Sequence, residues 1–288
     1  MFYILYPFIW LVTWLPLRVL YVFSDIFYLI IYYIIPYRKK LVRANLKNSF
    51  PEKTDDEISK IEKKFYRFFC DTFIETLYIL HMSEAEMKRR FDVGNIQMIK
   101  DYYAQGKSVM IMTAHYGNWE WGSSFSLGLP VENPVYNIYK RLSNKAFGDL
   151  MNDLRSRFGG RSVEMKELLR KMVNLRSEGK LVSFAMISDQ RPRKRTIHYW
   201  TRFLNQDAPV FVGTEQLAKK FDYPVIYIHI NRVKRGYYHC EYFPIADEPL
   251  KTGEFEITEK YIRILEQKIK EEPAYWLWTH KRWNHKKS

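Results

Sequence analysis

The sequence predicts an α/β protein, a largely parallel sheet flanked by helices, preceded by an N-terminal membrane helix. Three observations carry that prediction. Short apolar runs at 108–114, 181–188 and 224–230 alternate with longer stretches of helical periodicity, as in a parallel sheet covered on both faces. Gly106-Lys107 and Gly179-Lys180 stand just before two of these runs, where a glycine closes the preceding helix. The first 37 residues carry only Arg18 and Asp25 as charges.

In chain order, residues 1–37 form the first region. They are long enough to cross a hydrocarbon core of ~30 Å, which takes about 20 residues. Pro7 and Pro16 interrupt the run, so one span over 17–36 with a membrane-dipping lead-in is expected. A cleavable signal peptide fits poorly, because no basic segment precedes the run and no small-x-small site follows it. Arg38, Lys39, Lys40, Arg43 and Lys47 come next, and the positive-inside rule then puts the remaining chain in the cytoplasm. The alternative is a helix buried in the core.

Residues 38–106 read as a helical membrane-proximal region of the same domain as the rest. Thr54-Asp55-Asp56-Glu57 starts a long helix with a hydroxyl cap and acids at its positive end. Ile58, Ile61, Phe65, Phe69, Phe73 and Leu77 recur at three- and four-residue steps, one stripe expected to pack on the catalytic region. Shorter helices are expected near 83–91 and 96–105. Residues 107–288 form the α/β region, with strands at 108–114, 135–139, 181–188, 224–230 and 238–243. Helices are expected at 144–158, 164–177, 213–221 and 257–270.

A chain of 288 residues can bury a substantial core. Its 22 tyrosines, 17% aromatic content and net charge of +14 suit a surface lying against anionic lipid, acidic protein or nucleic acid. Cys70 and Cys240 lie far apart, outside any metal-ligand spacing, which fits a reducing compartment. No Gly-x-Ser-x-Gly, P-loop, Gly-x-Gly-x-x-Gly or His-Glu-x-x-His occurs. A covalent serine hydrolase, a nucleotide cofactor and a zincin thus lack their signatures. His229 and His239 fall on strands and read as structural.

The stretch Thr113-Ala114-His115-Tyr116-Gly117-Asn118-Trp119-Glu120 follows the first strand. Residues five apart cannot align on a helix or on a strand, so His115 and Glu120 meet only if the chain reverses between them. Gly117-Asn118 supplies a left-handed-tolerant turn, and a helix is expected to start near Trp119. Glu120 would then hold one imidazole nitrogen and leave the other as a general base. The plainer alternative is a capped helix start with a satisfied histidine. Tyr139-Lys140-Arg141 and Asp189-Gln190-Arg191 also follow strands directly. Ligands of parallel sheets gather at the strands' carboxyl ends, so all three motifs should line one cleft. Asp189 to Arg195 holds four cations in seven residues; Arg forks for phosphate, a solvated loop and an RNA-binding patch are the readings open there.

The form His-Tyr-Gly-Asn-Trp-Glu, a His-x4-Glu motif, resembles the signature of bacterial lipid A late acyltransferases, the lauroyl/myristoyl branch of the lysophospholipid acyltransferase superfamily. The resemblance covers nearly the whole chain. Leu15-Pro16, Asn45-Leu46 and Phe50-Pro51-Glu52 match its N-terminal region. Tyr139-Lys140 with Asn144, Arg155 with Gly159, and Asp189-Gln190 look like its central blocks. Phe203, Ala208-Pro209, Gly213 and Leu217-Ala218 are similar to its substrate-side segment, and Pro273 to Trp283 to its closing aromatic-basic motif. Many relatives have Tyr-Arg where this chain has Tyr139-Lys140, so either Lys140 or Arg141 is the working cation.

The resemblance implies a lysophospholipid acyltransferase-like fold and transfer of an acyl chain from an acyl carrier protein thioester to a hydroxyl of a lipid A precursor. His115 is the implied base and Glu120 its partner, with no cofactor and no covalent acyl-enzyme. Turn amides near Gly117 and Asn118, or a cation at 140–141, are the expected oxyanion donors, with Tyr139, Asp189, Gln190 and Arg191 on the substrate side. The partners expected are the acidic carrier protein, anionic inner-membrane lipids and a phosphorylated glycolipid, with no nucleic acid. The place is the cytoplasmic face of a bacterial inner membrane. Acylation of an amino-acid lipid or another glycolipid is the competing activity, and a non-catalytic membrane-anchored binding protein the competing class.

Overall fold

A computed structural model describes residues 2–287, with side chains from residue 6 onward. The helices are α1 (Phe2–Val12), α2 (Leu17–Leu29), α3 (Lys39–Ser49), α4 (Asp55–Tyr78), α5 (Glu84–Arg90), α6 (Gln97–Ala104), α7 (Lys145–Ser156), α8 (Leu168–Ser177), α9 (Gly213–Phe221) and α10 (Glu256–Glu271). The strands are β1 (Phe91–Asp92), β2 (Val109–Thr113), β3 (Val135–Tyr139), β4 (Arg161–Glu164), β5 (Ser183–Ile187), β6 (Tyr199–Phe203), β7 (Gln206–Val210), β8 (Val225–Lys234) and β9 (Tyr237–Ala246).

Seven strands form one sheet in the spatial order β1-β9-β8-β2-β5-β3-β4. All neighbours are parallel except the β8–β9 hairpin. Every residue of β2 is buried, as expected of a central strand with helices on both sides. The strand's two-residue period splits the core into two layers. Met110 and Met112 join Phe184, Val225 and Tyr227 in one, where α10 contributes Tyr261 and Leu265. Val109 and Ile111 join Ala185, Ile226 and Ile228 in the other, where α7 contributes Leu150 and Leu154.

β1, β4 and α3 have no counterpart in the expectation, and three further stretches differ from it. The stretch at 164 ends strand β4, and the α-helix starts only at Leu168, after a 3-10 turn over Met165–Glu167. The β6–β7 hairpin was not foreseen: its turn uses Leu204 and Asn205, both at positive φ, without the Asn-Gly pair that betrays such turns. The segment after Glu120 is a 3-10 helix, Trp121–Gly128, rather than an α-helix.

The N-terminal region is buried on one side and exposed on the other. α2 runs on as a π-helical turn, Ile30–Ile34, and Leu17–Ile34 is long and apolar enough to cross a membrane, with 33% of it buried. One side packs on α4 through Leu17, Leu20 and Tyr28. That side also bonds α4: Ser24 Oγ donates to Asp71 at 2.7 Å, Tyr21 to Glu75 at 2.7 Å and Tyr32 to Glu62 at 2.8 Å. The opposite side exposes Val22, Phe23, Ile26, Leu29, Ile30, Tyr33 and Ile34. α4 itself begins with the expected Thr54/Glu57 capping box and buries Ile58, Phe65 and Leu77 of its stripe, while Phe73 stays exposed.

Candidate active site

His115 sits two residues beyond the end of β2, and its ring is held from one side. Its Nδ1 lies 2.7 Å from Asp189 Oδ1, and its backbone N–H donates to Asp189 Oδ2 at 3.1 Å. Trp276 Nε1–H donates to the same Oδ2 at 2.8 Å. Asp189 comes just after β5, the neighbour of β2, so two parallel strands deliver the pair to one edge. Its carboxyl is 1% exposed. Burial alone would raise it, but the His115 charge and hydrogen bonds, with the Trp276 indole, outweigh burial and hold it below the usual carboxylate range. An ionised carboxylate only accepts, so Nδ1 carries a proton toward Asp189, and Nε2 is the atom that gains or gives up the second one. Gln190 Nε2 stands 3.1 Å from that nitrogen, and Trp119 meets the ring edge-on at 5.3 Å.

The partner carboxylate expected at the imidazole was Glu120, and this geometry corrects that. Glu120 turns away into the 3-10 segment and is gripped by Arg155 of α7: Nε to Oε2 and Nη2 to Oε1, both at 2.8 Å. Trp119 Nε1 adds a bond to Oε1 at 3.2 Å. A five-residue offset did require a chain reversal, but the reversal aims Glu120 at the α7 layer, and Asp189 from the next strand fills the place at Nδ1.

The turn itself is as expected. Gly117 has φ +60°, and a Cβ there would lie 2.1 Å from the Ile230 carbonyl oxygen. Its N–H is spent on the Tyr275 carbonyl at 3.0 Å. Asn118 is fully buried; its Nδ2 donates to Glu75 Oε2 at 2.7 Å and its Oδ1 accepts from Trp121 N–H at 3.1 Å. Neither the Gly117 amide nor the Asn118 side chain is therefore open to substrate. Glu75, itself fully buried and raised by burial, also accepts from Tyr238 and Tyr21 at 2.6 and 2.7 Å, so one α4 side chain pins the turn after His115.

Tyr139 is half-buried at the end of β3 and lies near Arg155. Lys140 is exposed, and Arg141 pairs with Glu164 at 3.1 Å while remaining 71% exposed. Arg191 turns inward, its Nη1 against His285 and its Nε buried without a partner. Arg193, Lys194 and Arg195 remain in solvent. The C-terminal segment supplies what position-by-position reading missed. Leu277 N–H donates to the His115 carbonyl at 3.1 Å, and Arg38 and Asn45 hold the same segment through the Thr279 and Trp278 carbonyls, both at 2.9 Å. Burial lowers His280 to about 4 and the fully buried Arg282 to about 10. The closing aromatic-basic run was the signal, since so many rings and cations in 11 residues rarely serve a solvated tail. His229, buried and lowered by burial to about 3, bonds Tyr227 at 2.7 Å, a structural strand residue as read.

A strand-end histidine held by a buried carboxylate on a largely parallel α/β sheet is an arrangement that can serve group transfer. Relatives narrow that class. A family model described as bacterial lipid A biosynthesis acyltransferase matches residues 1–285. The lipid A biosynthesis lauroyltransferase of Escherichia coli (strain K12) is 24% identical over 97% of this chain and 93% of its own length. The palmitoleoyltransferase of the same strain and the lipid A biosynthesis acyltransferase of Shigella flexneri are each 23% identical, over 96% of this chain and 92% of their own lengths. The chain belongs to the bacterial lipid A biosynthesis acyltransferase family, as its resemblance implied. It is an acyltransferase of lipid A biosynthesis.

Proposed function

We propose that the protein moves a fatty acyl chain from an acyl carrier protein thioester to a hydroxyl of a phosphorylated lipid A precursor at the cytoplasmic face of the inner membrane. The single observation that carries the mechanism is the His115–Asp189 contact at 2.7 Å, which leaves Nε2 as the basic atom. A hydroxyl is a weak nucleophile until it loses its proton. Nε2 takes that proton as the oxygen attacks the thioester carbonyl, and Asp189 stabilises the imidazolium. The tetrahedral intermediate collapses by breaking the C–S bond, and the carrier's thiolate leaves and recovers the proton from His115. A thiolate leaves readily, so the acyl chain needs no covalent stop on the enzyme.

Gln190 stands where the incoming hydroxyl must sit, so it has to swing aside; its amide then serves as a donor to the nascent oxyanion. The Glu120–Arg155 pair acts as a positioning wall behind Trp119. A net charge of +14 favours an acidic carrier protein as donor, and the exposed apolar side of α2 supports residence at the membrane.

The test is incubation of the membrane-bound protein with labelled acyl carrier protein thioesters and a phosphorylated disaccharide lipid, followed by mass analysis. Acyl ester on the disaccharide is the expected product, and His115→Ala should cut its rate by ~10²–10⁴. Near-wild-type turnover in that variant removes the mechanism. Transfer from acyl-coenzyme A but not from the carrier removes the donor assignment.

A further inference from the structure

Beyond the 275–278 segment from His115, an open cleft of ≈ 480 Å³ lies between α2, α4 and the β8–β9 turn, well within the size range of small-ligand sites. Trp276 bonds Asp189, whereas Tyr275, the last residue of the 3-10 turn Pro273–Tyr275, lines this cleft. The cleft is thus distinct from the site around His115.

Its charge is unbalanced. Lys64, Arg67, Arg232 and Arg235 line it, against Asp25 and Asp71. The two carboxylates are already engaged. Asp71 takes Arg232 at 2.7 Å and Arg235 at 2.6 Å, and Asp25 takes Arg235 at 2.6 Å. Lys64 reaches Glu272 at 2.6 Å. Arg67 has no carboxylate partner among the described residues; its guanidinium lies over the Tyr28 ring, 5.1 Å from the centroid. Arg232 Nε is buried without any partner. With Asp25, Asp71 and Glu272 already engaged, and the buried Glu75 behind Arg232 pushed toward its neutral form by burial, the unpaired Arg67 leaves a seat for one anion.

The surroundings say what carries that anion. Leu29 lines the cleft and also belongs to the exposed apolar side of α2 with Ile26, Ile30, Tyr33 and Ile34. A soluble anion has no use for such a flank, whereas a phospholipid presents a phosphate and hydrocarbon side by side. We propose that this cleft seats the phosphate of an anionic phospholipid, whose acyl chains lie along the exposed side of α2. The geometry suits a lipid held at a fixed point, in addition to the diffuse attraction of a basic surface. The proposal is independent of the acyl-transfer chemistry.

The test uses the full-length protein in flotation with phosphatidylcholine vesicles and with vesicles containing phosphatidylglycerol. Arg67 is exposed and makes no ion pair, so Arg67→Gln should leave the thermal melt unchanged. It should weaken binding to the anionic vesicles by roughly 10- to 100-fold, as for a lost charge-assisted contact, with phosphatidylcholine binding unaltered. Lys180→Gln, a charge removed elsewhere on the surface, should cost at most about fivefold. Lys64→Gln, the second variant, should also weaken anionic binding, by less than Arg67→Gln, because Lys64 already holds Glu272. Glycerol phosphate should displace the wild type from anionic vesicles more than chloride at matched ionic strength. The proposal falls if Arg67→Gln loses no more than Lys180→Gln, or if the wild type binds both vesicle types equally. It also falls if glycerol phosphate saturates the protein while vesicle binding stays intact, since the cleft would then serve a soluble phosphate.

Discussion

Replacing Asp189 by Asn keeps the side chain's volume and removes its charge, which isolates what the carboxylate does for His115. The carboxylate accepts three N–H groups: the His115 ring at 2.7 Å, the His115 backbone at 3.1 Å and the Trp276 indole at 2.8 Å. An amide has one acceptor oxygen. If it serves the backbone and the indole, its NH2 faces Nδ1, the ring proton moves to Nε2, and the base is lost. If it serves Nδ1, two buried N–H donors face an NH2, each costing ~1–3 kcal/mol. The base-competent arrangement therefore lies about 2–6 kcal/mol uphill. At 1.36 kcal/mol per decade, that is a loss of roughly 30-fold to 10⁴-fold in kcat. Single-turnover transfer from an acyl carrier protein thioester measures it, with substrate KM values expected to change little. Activity of Asp189→Asn within about tenfold of wild type would refute the reasoning. The same substitution has an equilibrium signature. A carboxyl held below its ordinary value adds stability that is present above the unfolded pKa of ~3.9 and lost as pH falls through the lower folded value. The urea midpoint of the wild type should thus fall more steeply below about pH 4 than that of Asp189→Asn, and parallel declines would count against the ionised assignment.

Three further outcomes are expected. Glu120→Ala strands the Arg155 guanidinium and should lower stability by about 3 kcal/mol, as for a broken, mostly buried ion pair; Glu120→Ala with Arg155→Leu should recover part of it in thermal melts, and additive losses would show the pair is not coupled. Changing Phe23, Ile26 and Ile30 to Ser should release protein from membranes without unfolding it, and the residual binding should fall with salt as the Debye length drops from ~10 Å at 0.1 M to ~3 Å at 1 M. Deleting 1–36 would instead remove Leu17, Leu20 and Tyr21 from the core and should destabilise the fold, which circular dichroism of the two proteins distinguishes. Arg191→Ala should raise the acceptor's KM with kcat nearly unchanged, a roughly 10- to 100-fold loss in acceptor kcat/KM; an equal, small effect on donor and acceptor would leave Arg191 as a structural contact of His285.

Elements whose pattern is local were legible in the chain itself. Apolar runs with glycine caps marked β2 and β5, hydroxyl-acid caps marked α4, and an unbroken run of rings and aliphatics marked α2, because period, capping and composition act within a few residues. The reversal at Gly117 was legible for the same reason: few other residues accept φ +60° with a carbonyl 2.1 Å from where Cβ would stand. The convergence of His115 and Asp189 on one sheet edge also followed from pattern, since both come directly after strands.

Which carboxylate holds the imidazole did not follow. Glu120 is five residues from His115 and Asp189 seventy-four, yet strand order β8-β2-β5 sets Asp189 beside the ring while the 3-10 turn sends Glu120 to Arg155. The N-terminal apolar helix divides in the same way. Its length and apolarity are written in residues 17–36, but only packing on α4 decides which side is core, through Ser24, Tyr21 and Tyr32. The cleft beside it joins α2, α4 and the β8–β9 turn, residues with no shared period to announce them. Local sequence encodes what neighbouring residues can do together. Tertiary structure chooses partners across the sheet, because there the contact depends on strand order and helix orientation and hardly at all on distance along the chain.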